Sequence, residues 1–548
     1  MEVLMKNTVW WKNAVIYQIY PRSFMDSNND GIGDLQGIIS KLDYIKWLGV
    51  DAIWLCPVYK SPNDDNGYDI SDYTDIMDEF GTMQDMDQLL EEAKKRDIII
   101  IMDMVFNHSS DEHKWFIESR KSKDNPYRDY YIWRDPVDGK EPNELGSVFS
   151  GSAWQYDETT GQYYLHMFSK RQPDLNWENA KVRNKIVDVV KFWVNKGVSG
   201  FRLDMIELLG KVPDEMITAN GPKLHDYIKQ LYSEGFNCNG KGDEIVTVGE
   251  CWAADTKEAL KYTDPENKEL SMVFQFEHSA LDEIPGKGKW ALKPMELGEL
   301  KKVINKWQLD YEKGWNALFW DNHDLPRIVS RFGNDKEYRI ESAKMLALYL
   351  YGLKGTPFLY QGEELGMTNV KFPSIDDYKD IEIINMYNEK IAEGVDEKEI
   401  MKSIYAKGRD NARTPMQWSD ETNAGFTKGT PWLKVNENYK EINVEKEMKD
   451  DNSVLHFYQK LIKIRKNVLC IREGNYLPVL NEDKDIAAYT RNIDGQGILV
   501  IANFHNGTKK ISLPEYEVKK ILASNYNRSD FDLKAVDIQP YEAIMLEI

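Results

Sequence analysis

Short apolar, β-branched runs alternate along most of this chain with longer stretches of helical spacing. The runs NAVIYQIYP (13–21), VDAIWLCPVY (50–59), DIIIIMDMVFNH (97–108), GVSGFRLDM (197–205), EIVTVGECW (244–252), SMVFQFEH (271–278), NALFWDNHD (316–324) and GTPFLYQGEEL (355–365) read as strands. Intervening segments such as GIISKLDYIKWLG and DMDQLLEEAKKR repeat apolar residues at intervals of three and four, so a helix should carry each strand to the next parallel one. This alternation predicts an α/β fold, a (β/α)8 TIM barrel. Each run ends in polar or charged residues, and the carboxyl ends of barrel strands open onto one shared mouth.

The alternation breaks in three places. Residues 109–177, between the third and fourth runs, exceed one crossover helix and are rich in Trp, Tyr, Asp, Pro and Gly, which predicts an inserted subdomain over the mouth. A second insertion, about 368–425, follows the eighth run and contains GRDNARTPMQW. After His456 the strings LPVL, DIAAYTRN, GILVIANFH, KKISLP and EAIMLEI follow one another closely with turn residues between, predicting a C-terminal antiparallel β-sandwich domain over 474–548. The barrel is then expected to occupy 1–108 and 178–465.

At 548 residues the chain is too long for one ordinary core. Its net charge of −21 disfavours nucleic acid and anionic membrane as partners. The apolar run Ile98–Met102 is far too short to span a bilayer. The N-terminal MEVLMKNTVWWKN lacks the basic stretch, long apolar region and cleavage site of a signal peptide. Cys56, Cys238, Cys251 and Cys470 are scattered without metal-ligand spacing, as expected of reduced thiols. These features predict a cytoplasmic protein, a monomer or weak homo-oligomer, with no organic cofactor.

Three strand ends carry carboxylates: Asp204 in GFRLDMIE, Glu250 in IVTVGECW and Asp324 in LFWDNHDLPR. A retaining glycosidase needs one ionised carboxylate to attack the anomeric carbon and one protonated carboxyl, about 5–5.5 Å away, to protonate the leaving oxygen. Arg202 precedes Asp204 by two residues, so both leave the strand on one face, where a guanidinium favours the ionised nucleophile. Glu250 ends an apolar run beside Trp252, and loss of water there favours the protonated acid. A lone acid is more often a strand-end cap or surface ion pair. Three acids on strands sharing one mouth point to catalysis on an oligosaccharide.

The first loop, DSNNDGIGD, sets Asp26, Asn28, Asp30 and Asp34 at spacings that suit a hard cation, Ca2+ or Mg2+, with Gly31 at the bend. Such an ion would be structural. The alternative is an Asx-rich turn capped by its own side chains.

The strings QIYPRSFMDSNNDGIGDLQGI, WLCPVYKSPNDDNGYDISDY, DMVFNHSSDEH, FSKRQPDLNW, GFRLDMIE, GECW, NHDLPRIVSRFG, YQGEELGMTN and RDNARTPMQW, in this order, run nearly end to end. The chain carrying them resembles glycoside hydrolase family 13, the α-amylase family, in its oligo-1,6-glucosidase and dextran-glucosidase branch. The resemblance implies Asp204 as nucleophile, Glu250 as acid/base and Asp324 as a third carboxylate holding sugar hydroxyls. It implies that His108 and His323 bond the substrate, and that Asp69 and Arg409 close the pocket on the terminal 4-hydroxyl. Tyr68 is then the platform under the ring, with Phe149 and Gln172 as further lining. A backbone carbonyl at Ile32 completes the cation loop.

In that branch the residue after the nucleophile is Val in α-1,6-specific members and Thr in α-1,4-specific ones; here it is Met205, apolar like Val. Trp252, Lys289 in GKGKW, or its neighbour Lys287, and Glu382 in KDIEI resemble the set that grips the second glucose. The expected activity is that of a retaining exo-acting α-glucosidase on α-1,6-linked oligosaccharides. Alternatives on the same scaffold are an α-1,4-glucosidase and a trehalose-6-phosphate hydrolase, whose phosphate Lys287, Lys289 or Arg171 would meet. A non-catalytic carbohydrate-binding barrel is the alternative of another class; such proteins lose one or more of the three acids and often carry a membrane segment.

Overall fold

The computed structural model describes residues 9–548; residues 1–8, part of the stretch weighed above as a signal peptide, lie outside the described residues. All eight predicted runs contain a strand: β1 (Ile16–Ile19), β2 (Ala52–Leu55), β3 (Ile99–Val105), β4 (Gly200–Asp204), β5 (Val246–Cys251), β6 (Met272–Gln275), β7 (Ala317–Leu318) and β8 (Thr356–Tyr360). They form one parallel sheet in the order β6-β5-β4-β3-β2-β1-β8-β7. A parallel bridge between Val273 and Asn316 joins its two edges and closes the barrel.

Side-chain parity divides each strand into an inner and an outer row. Ile16, Ala52, Trp54, Ile101, Val246, Val248, Met272, Phe274 and Phe358 pack together inside the barrel. Tyr17, Ile53, Ile100, Phe201 and Leu203 belong to the core under the surrounding helices. Gly200 sits on the inner row, where an added Cβ would come 2.5 Å from Val246 and 2.7 Å from Ile101. Continuing each inner row by steps of two leads to Gln18, Asp103, Arg202, Asp204 and Glu250.

The crossover helices start and stop on local signals. Helix Met83–Lys95 opens with a reciprocal Thr82–Asp85 capping box. Helix Ala180–Lys196 is capped by Asn179 and ends at Gly197, whose φ of 104° is the left-handed conformation glycine tolerates best.

Several predicted runs outlast their strands, and in two of them the overhang carries site residues. β7 covers only two residues, after which Phe319 and Trp320 are buried and Asn322 Oδ1 accepts the Asp324 N–H at 2.8 Å in a tight turn. β3 stops at Val105, before His108. Loops, not strands, therefore deliver Asp324 and His108.

Between β3 and β4 lies a three-stranded antiparallel sheet, Trp133–Arg134, Trp154–Asp157 and Gln162–Leu165, with the last strand in the middle. Lys211 reaches it from beyond β4 and pairs with Asp174 Oδ2 at 3.0 Å and Asn107 Oδ1 at 2.7 Å. After β8, helices Ile381–Ala392 and Glu397–Lys407 share a small core with Phe372 and Tyr378. The C-terminal part holds β9 (Asn475–Val479), β10 (Ile486–Ile493), β11 (Gln496–Asn503), β12 (Lys520–Ser524) and β13 (Ala543–Glu547) in an antiparallel sheet ordered β9-β10-β11-β13-β12. A two-stranded ribbon, Lys509–Ile511 with Val536–Ile538, lies beside it. Tyr489 of β10 donates to the Tyr349 carbonyl at 2.6 Å, tying this sheet to helix Arg339–Tyr351. Among the described residues no helix is long and apolar enough to cross a membrane. Cys56, Cys251 and Cys470 are buried free thiols and Cys238 is an exposed one.

Candidate active site

Arg202 organises the mouth. It is 1% exposed, and its Nη1 donates to Asp103 Oδ1 at 2.8 Å and to Asp204 Oδ1 at 2.7 Å, while Nη2 donates to Glu250 Oε2 at 2.5 Å. One guanidinium thus gathers carboxylates from β3, β4 and β5. Glu250 receives two further donors, Trp252 Nε1 on Oε1 at 2.9 Å and the Met205 N–H on Oε2 at 3.2 Å. Met205 adopts φ 41° and ψ 41°, a left-handed conformation unusual for its side chain, immediately after Asp204.

The electrostatics differ from the expectation of a simple Asp204–Arg202 pair. Burial raises the Asp204 carboxyl well above the ordinary carboxylate range; Arg202 opposes this, and the charges of Glu250 and Asp103 add to it. Asp103 is itself pushed up to about 6, chiefly by burial. The correction has a plain cause: three acids share a single positive charge, so the cluster keeps a proton that an isolated pair would release.

Asp324 accepts from Arg413 Nη2 at 2.8 Å and Arg409 Nη1 at 3.2 Å, and lies 3.2 Å from His323 Nε2. Burial disfavours its charge, but the fields of His323, Arg409 and Arg413 overcome this and hold it well below the usual carboxylate range. Burial pushes His323 down to about 3, so at neutral pH the imidazole is uncharged and the two arginines carry the effect. His323 Nδ1 accepts from Gln18 Nε2 at 2.9 Å, which assigns the ring proton to Nε2, facing Asp324 and the Tyr68 hydroxyl 2.6 Å away. The Tyr68 ring stacks on His323 at 5.2 Å and 9°, and its hydroxyl donates to Asp103 Oδ2 at 2.9 Å.

The closed end of the pocket departs from expectation in one residue. Arg409 is buried and donates through Nη2 to Asp380 Oδ1 at 2.6 Å and to Asp65 Oδ1 at 3.1 Å, with Phe149 5.2 Å from its Cζ. Asp69 does not face it. Its carboxylate turns into its own loop, accepting the Asp64 N–H at 2.8 Å, the Asp65 N–H at 3.1 Å and Ser61 Oγ at 2.9 Å. Asp65, four residues earlier in the same string, takes the place assigned to Asp69, because the backbone donors of the turn consume the Asp69 oxygens. Gln172 supports this arrangement, its Nε2 donating to Asp65 Oδ2 and to the Tyr68 carbonyl, both at 3.2 Å.

His108 is 2% exposed, with Nε2 3.0 Å from the Tyr68 carbonyl and Nδ1 3.1 Å from Asn107 Nδ2. Both ring nitrogens are engaged by protein, so the structure places His108 behind Tyr68. Burial pushes it down to about 4, an uncharged ring at neutral pH.

On the open side, Trp252 is 44% exposed and stacks on Phe276 at 3.9 Å and 10°. Lys289, and not the exposed Lys287, donates to Glu382 Oε2 at 2.6 Å; Arg409 Nε lies 3.4 Å from the same oxygen. The sequence reading had passed over Asp65, Asp103, Asp380, Arg413 and Glu207. Asp103 was findable by stepping two residues along the inner row from Ile101. Arg413 stands one helical turn after Arg409 in RDNAR.

The first loop folds as a ladder of Asx turns. Asp26 Oδ1 accepts the Asn28 and Asn29 N–H groups at 3.0 and 2.6 Å, Asn28 Oδ1 accepts that of Asp30, and Asp30 Oδ1 that of Ile32, both at 2.9 Å. Asp34 caps helix Leu35–Ser40 by accepting the Gly37 N–H at 2.7 Å. Among the described residues no three His, Cys, Asp or Glu side chains are grouped closely enough to hold a metal ion. Oxygen donors for a cation at this loop therefore have to include the Asn28 amide and the Ile32 carbonyl.

This frame matches known proteins. Residues 18–474 match the model of the α-amylase catalytic domain, and residues 486–545 that of the α-amylase SusG C-terminal domain. The chain belongs to the α-amylase family. It is an enzyme, a glycoside hydrolase. An oligo-1,6-glucosidase of Parageobacillus thermoglucosidasius is 57% identical, across 98% of this chain and 99% of its own. A glucan 1,6-alpha-glucosidase of Streptococcus pneumoniae serotype 4 is 53% identical across 98% and 99%. Among solved structures, the trehalose-6-phosphate hydrolase of Bacillus licheniformis superposes with a TM-score of 0.93 at 46% identity, covering 98% of this chain and 100% of that one.

Proposed function

We propose that this enzyme is a retaining, exo-acting α-glucosidase that releases glucose from the non-reducing ends of α-1,6-linked oligosaccharides of the isomaltose, isomalto-oligosaccharide and panose type. The observation that carries the reading is the pair of catalytic-type acids, Asp204 and Glu250, on neighbouring nitrogens of one guanidinium. That spacing suits a nucleophile acting beside its acid/base partner. The relatives named as oligo-1,6-glucosidase and glucan 1,6-alpha-glucosidase support the linkage.

In the first step Asp204 forms a bond to the anomeric carbon as its bond to the leaving oxygen breaks, and Glu250 gives that oxygen its proton. In the second step Glu250 takes a proton from water, whose oxygen attacks the same carbon and frees glucose and the Asp204 carboxylate. Asp324, ionised between two arginines, holds ring hydroxyls as positive charge develops on the sugar. Asp65 and Arg409 read the terminal 4-hydroxyl, a carboxylate accepting and a guanidinium donating. Trp252 and the Lys289–Glu382 pair receive the second sugar, and Met205 sets the apolar edge between the two.

The first loop takes a structural Ca2+ or Mg2+ on Asp26, Asn28, Asp30, the Ile32 carbonyl and Asp34, a reading supported by the alternation of oxygen donors about Gly31, whose φ is 96°. The enzyme acts in the cytoplasm as a monomer or weak homo-oligomer, which its free thiols suit.

The test is glucose release from isomaltose, isomaltotriose, maltose, sucrose and trehalose-6-phosphate at matched concentrations, together with Asp204→Asn and Glu250→Gln. The expected order puts isomaltose and isomaltotriose first, with no turnover in Asp204→Asn and retained attack on activated aryl α-glucosides in Glu250→Gln. Preference for maltose or the phosphorylated disaccharide would overturn the linkage, and equal loss on all leaving groups would overturn the role of Glu250.

A further inference from the structure

We infer that Glu207 is a positioning residue for the acid/base, a carboxylate clamp that fixes the chain just beyond Glu250 and thereby aims the Trp252 indole at it. Glu207 lies three residues after Asp204, is 2% exposed, and no part of the mechanism above uses it. Its Oε1 accepts the N–H of Trp252 at 3.0 Å and of Ala253 at 3.1 Å, and its Oε2 accepts the Ala253 N–H at 3.0 Å. These are the first two residues after β5, where a parallel strand runs out of ladder partners. Trp252 Nε1 in turn donates to Glu250 Oε1 at 2.9 Å. The carbonyl of Glu207 accepts the Asn220 N–H at 2.9 Å, so the clamp is itself anchored to the loop beyond β4.

A buried carboxylate bound to two backbone N–H groups is a strong, directional constraint, and its removal frees both donors and the loop they belong to. Trp252 is 44% exposed, and its indole is held by its stack on Phe276 and its bond to Glu250. The titratable groups that face Glu207 are Glu250 and Cys251 from β5, and Glu258 and Tyr262 from helix Thr256–Thr263. Burial pushes the Glu207 carboxyl up to about 7 against the pull of its two backbone donors, and the charges of Glu250 and Glu258 add to the rise.

The inference rests on the reading of Glu250 as acid/base, and the experiment separates the two. Glu207→Gln and Glu207→Asp are compared with wild type and Glu250→Gln on isomaltose, which needs leaving-group protonation, and on an activated aryl α-glucoside, which does not. In Glu207→Gln, kcat on isomaltose is expected to fall about tenfold more than on the aryl substrate, as for loss of part of a general-acid contribution. Its KM should change less than its kcat. Glu207→Asp, which keeps a carboxylate for the two backbone N–H groups, should recover part of the selective loss on isomaltose, and it carries the test alone if the Gln variant does not fold. Parallel losses on both substrates would make Glu207 merely structural and overturn the inference. Failure of Glu250→Gln to spare the aryl substrate would instead sink the acid/base reading beneath it.

Discussion

Replacing Arg202 by Gln tests the arrangement most directly, because this one side chain meets Asp103, Asp204 and Glu250 at 2.8, 2.7 and 2.5 Å. Each lost charge-assisted hydrogen bond is worth about 1.5–3 kcal/mol, and breaking a buried ionic cluster costs roughly 3–5 kcal/mol in stability. For Asp204 the loss of that bond, and of the positive charge behind it, strengthens proton binding further. The acid limb of kcat/KM on an activated aryl α-glucoside, where only the nucleophile must be ionised, should therefore shift to higher pH. The sign for stability follows from the same direction. Asp204 and Asp103 hold protons to higher pH in the folded enzyme than in the unfolded chain. Their contribution is full in acid and is lost as pH rises through the folded values. The variant, with more strongly raised carboxyls, should be least impaired in mildly acidic buffer and lose thermal stability faster than wild type towards neutral pH. An acid limb that stays in place, or moves down, would refute the claim that Arg202 is what lets Asp204 ionise.

Three further outcomes are expected. Asp65→Asn should lower kcat/KM about a hundredfold by removing the carboxylate that accepts the terminal hydroxyl beside Arg409, whereas Asp69→Asn should lower thermal stability with less than about tenfold effect on turnover, read from steady-state kinetics and thermal melts. Glu363 and Asp321 are buried beside one another, and burial plus the neighbouring Asp321 raises Glu363 well above the carboxylate range. Stability from this pair is present in acid and lost as pH rises through the raised value, so Glu363→Gln should melt higher than wild type in alkaline buffer and lose that advantage in acid. Excess chelator should lower the melting temperature more than it lowers turnover at a permissive temperature; an unchanged melting temperature would remove the cation from the first loop.

How much of this could be read from the chain follows from where each residue sits relative to a strand. On a strand, parity is decisive: Arg202 and Asp204 are two apart, Val248 and Glu250 are two apart, and each pair leaves the same side of the sheet. The barrel, the cluster around Arg202 and even the overlooked Asp103 were therefore legible from spacing alone. Loops have no such rule. Asp65 and Asp69 occupy one short string with equal chemical claims on Arg409, and only the turn decides between them, by spending the Asp69 oxygens on the N–H groups of Asp64 and Asp65. Asp380 and Glu382 bracket a helix start, and the one that caps it, accepting the Glu382 N–H at 3.0 Å, also holds Arg409 at 2.6 Å, a double role that spacing does not announce. Glu207 follows the same logic: three residues past a strand end it has no assigned face, and its importance appears only when the chain beyond β5 folds back to bind it. Asp204, Glu250 and the Arg202 that joins them sit on the barrel's parity, while Asp65, Asp380 and Glu207 sit beyond it on loops and helix starts. A variant scan guided by sequence alone would thus find the acids and Arg202 and miss the supports that loops supply, Asp65, Asp380 and Glu207.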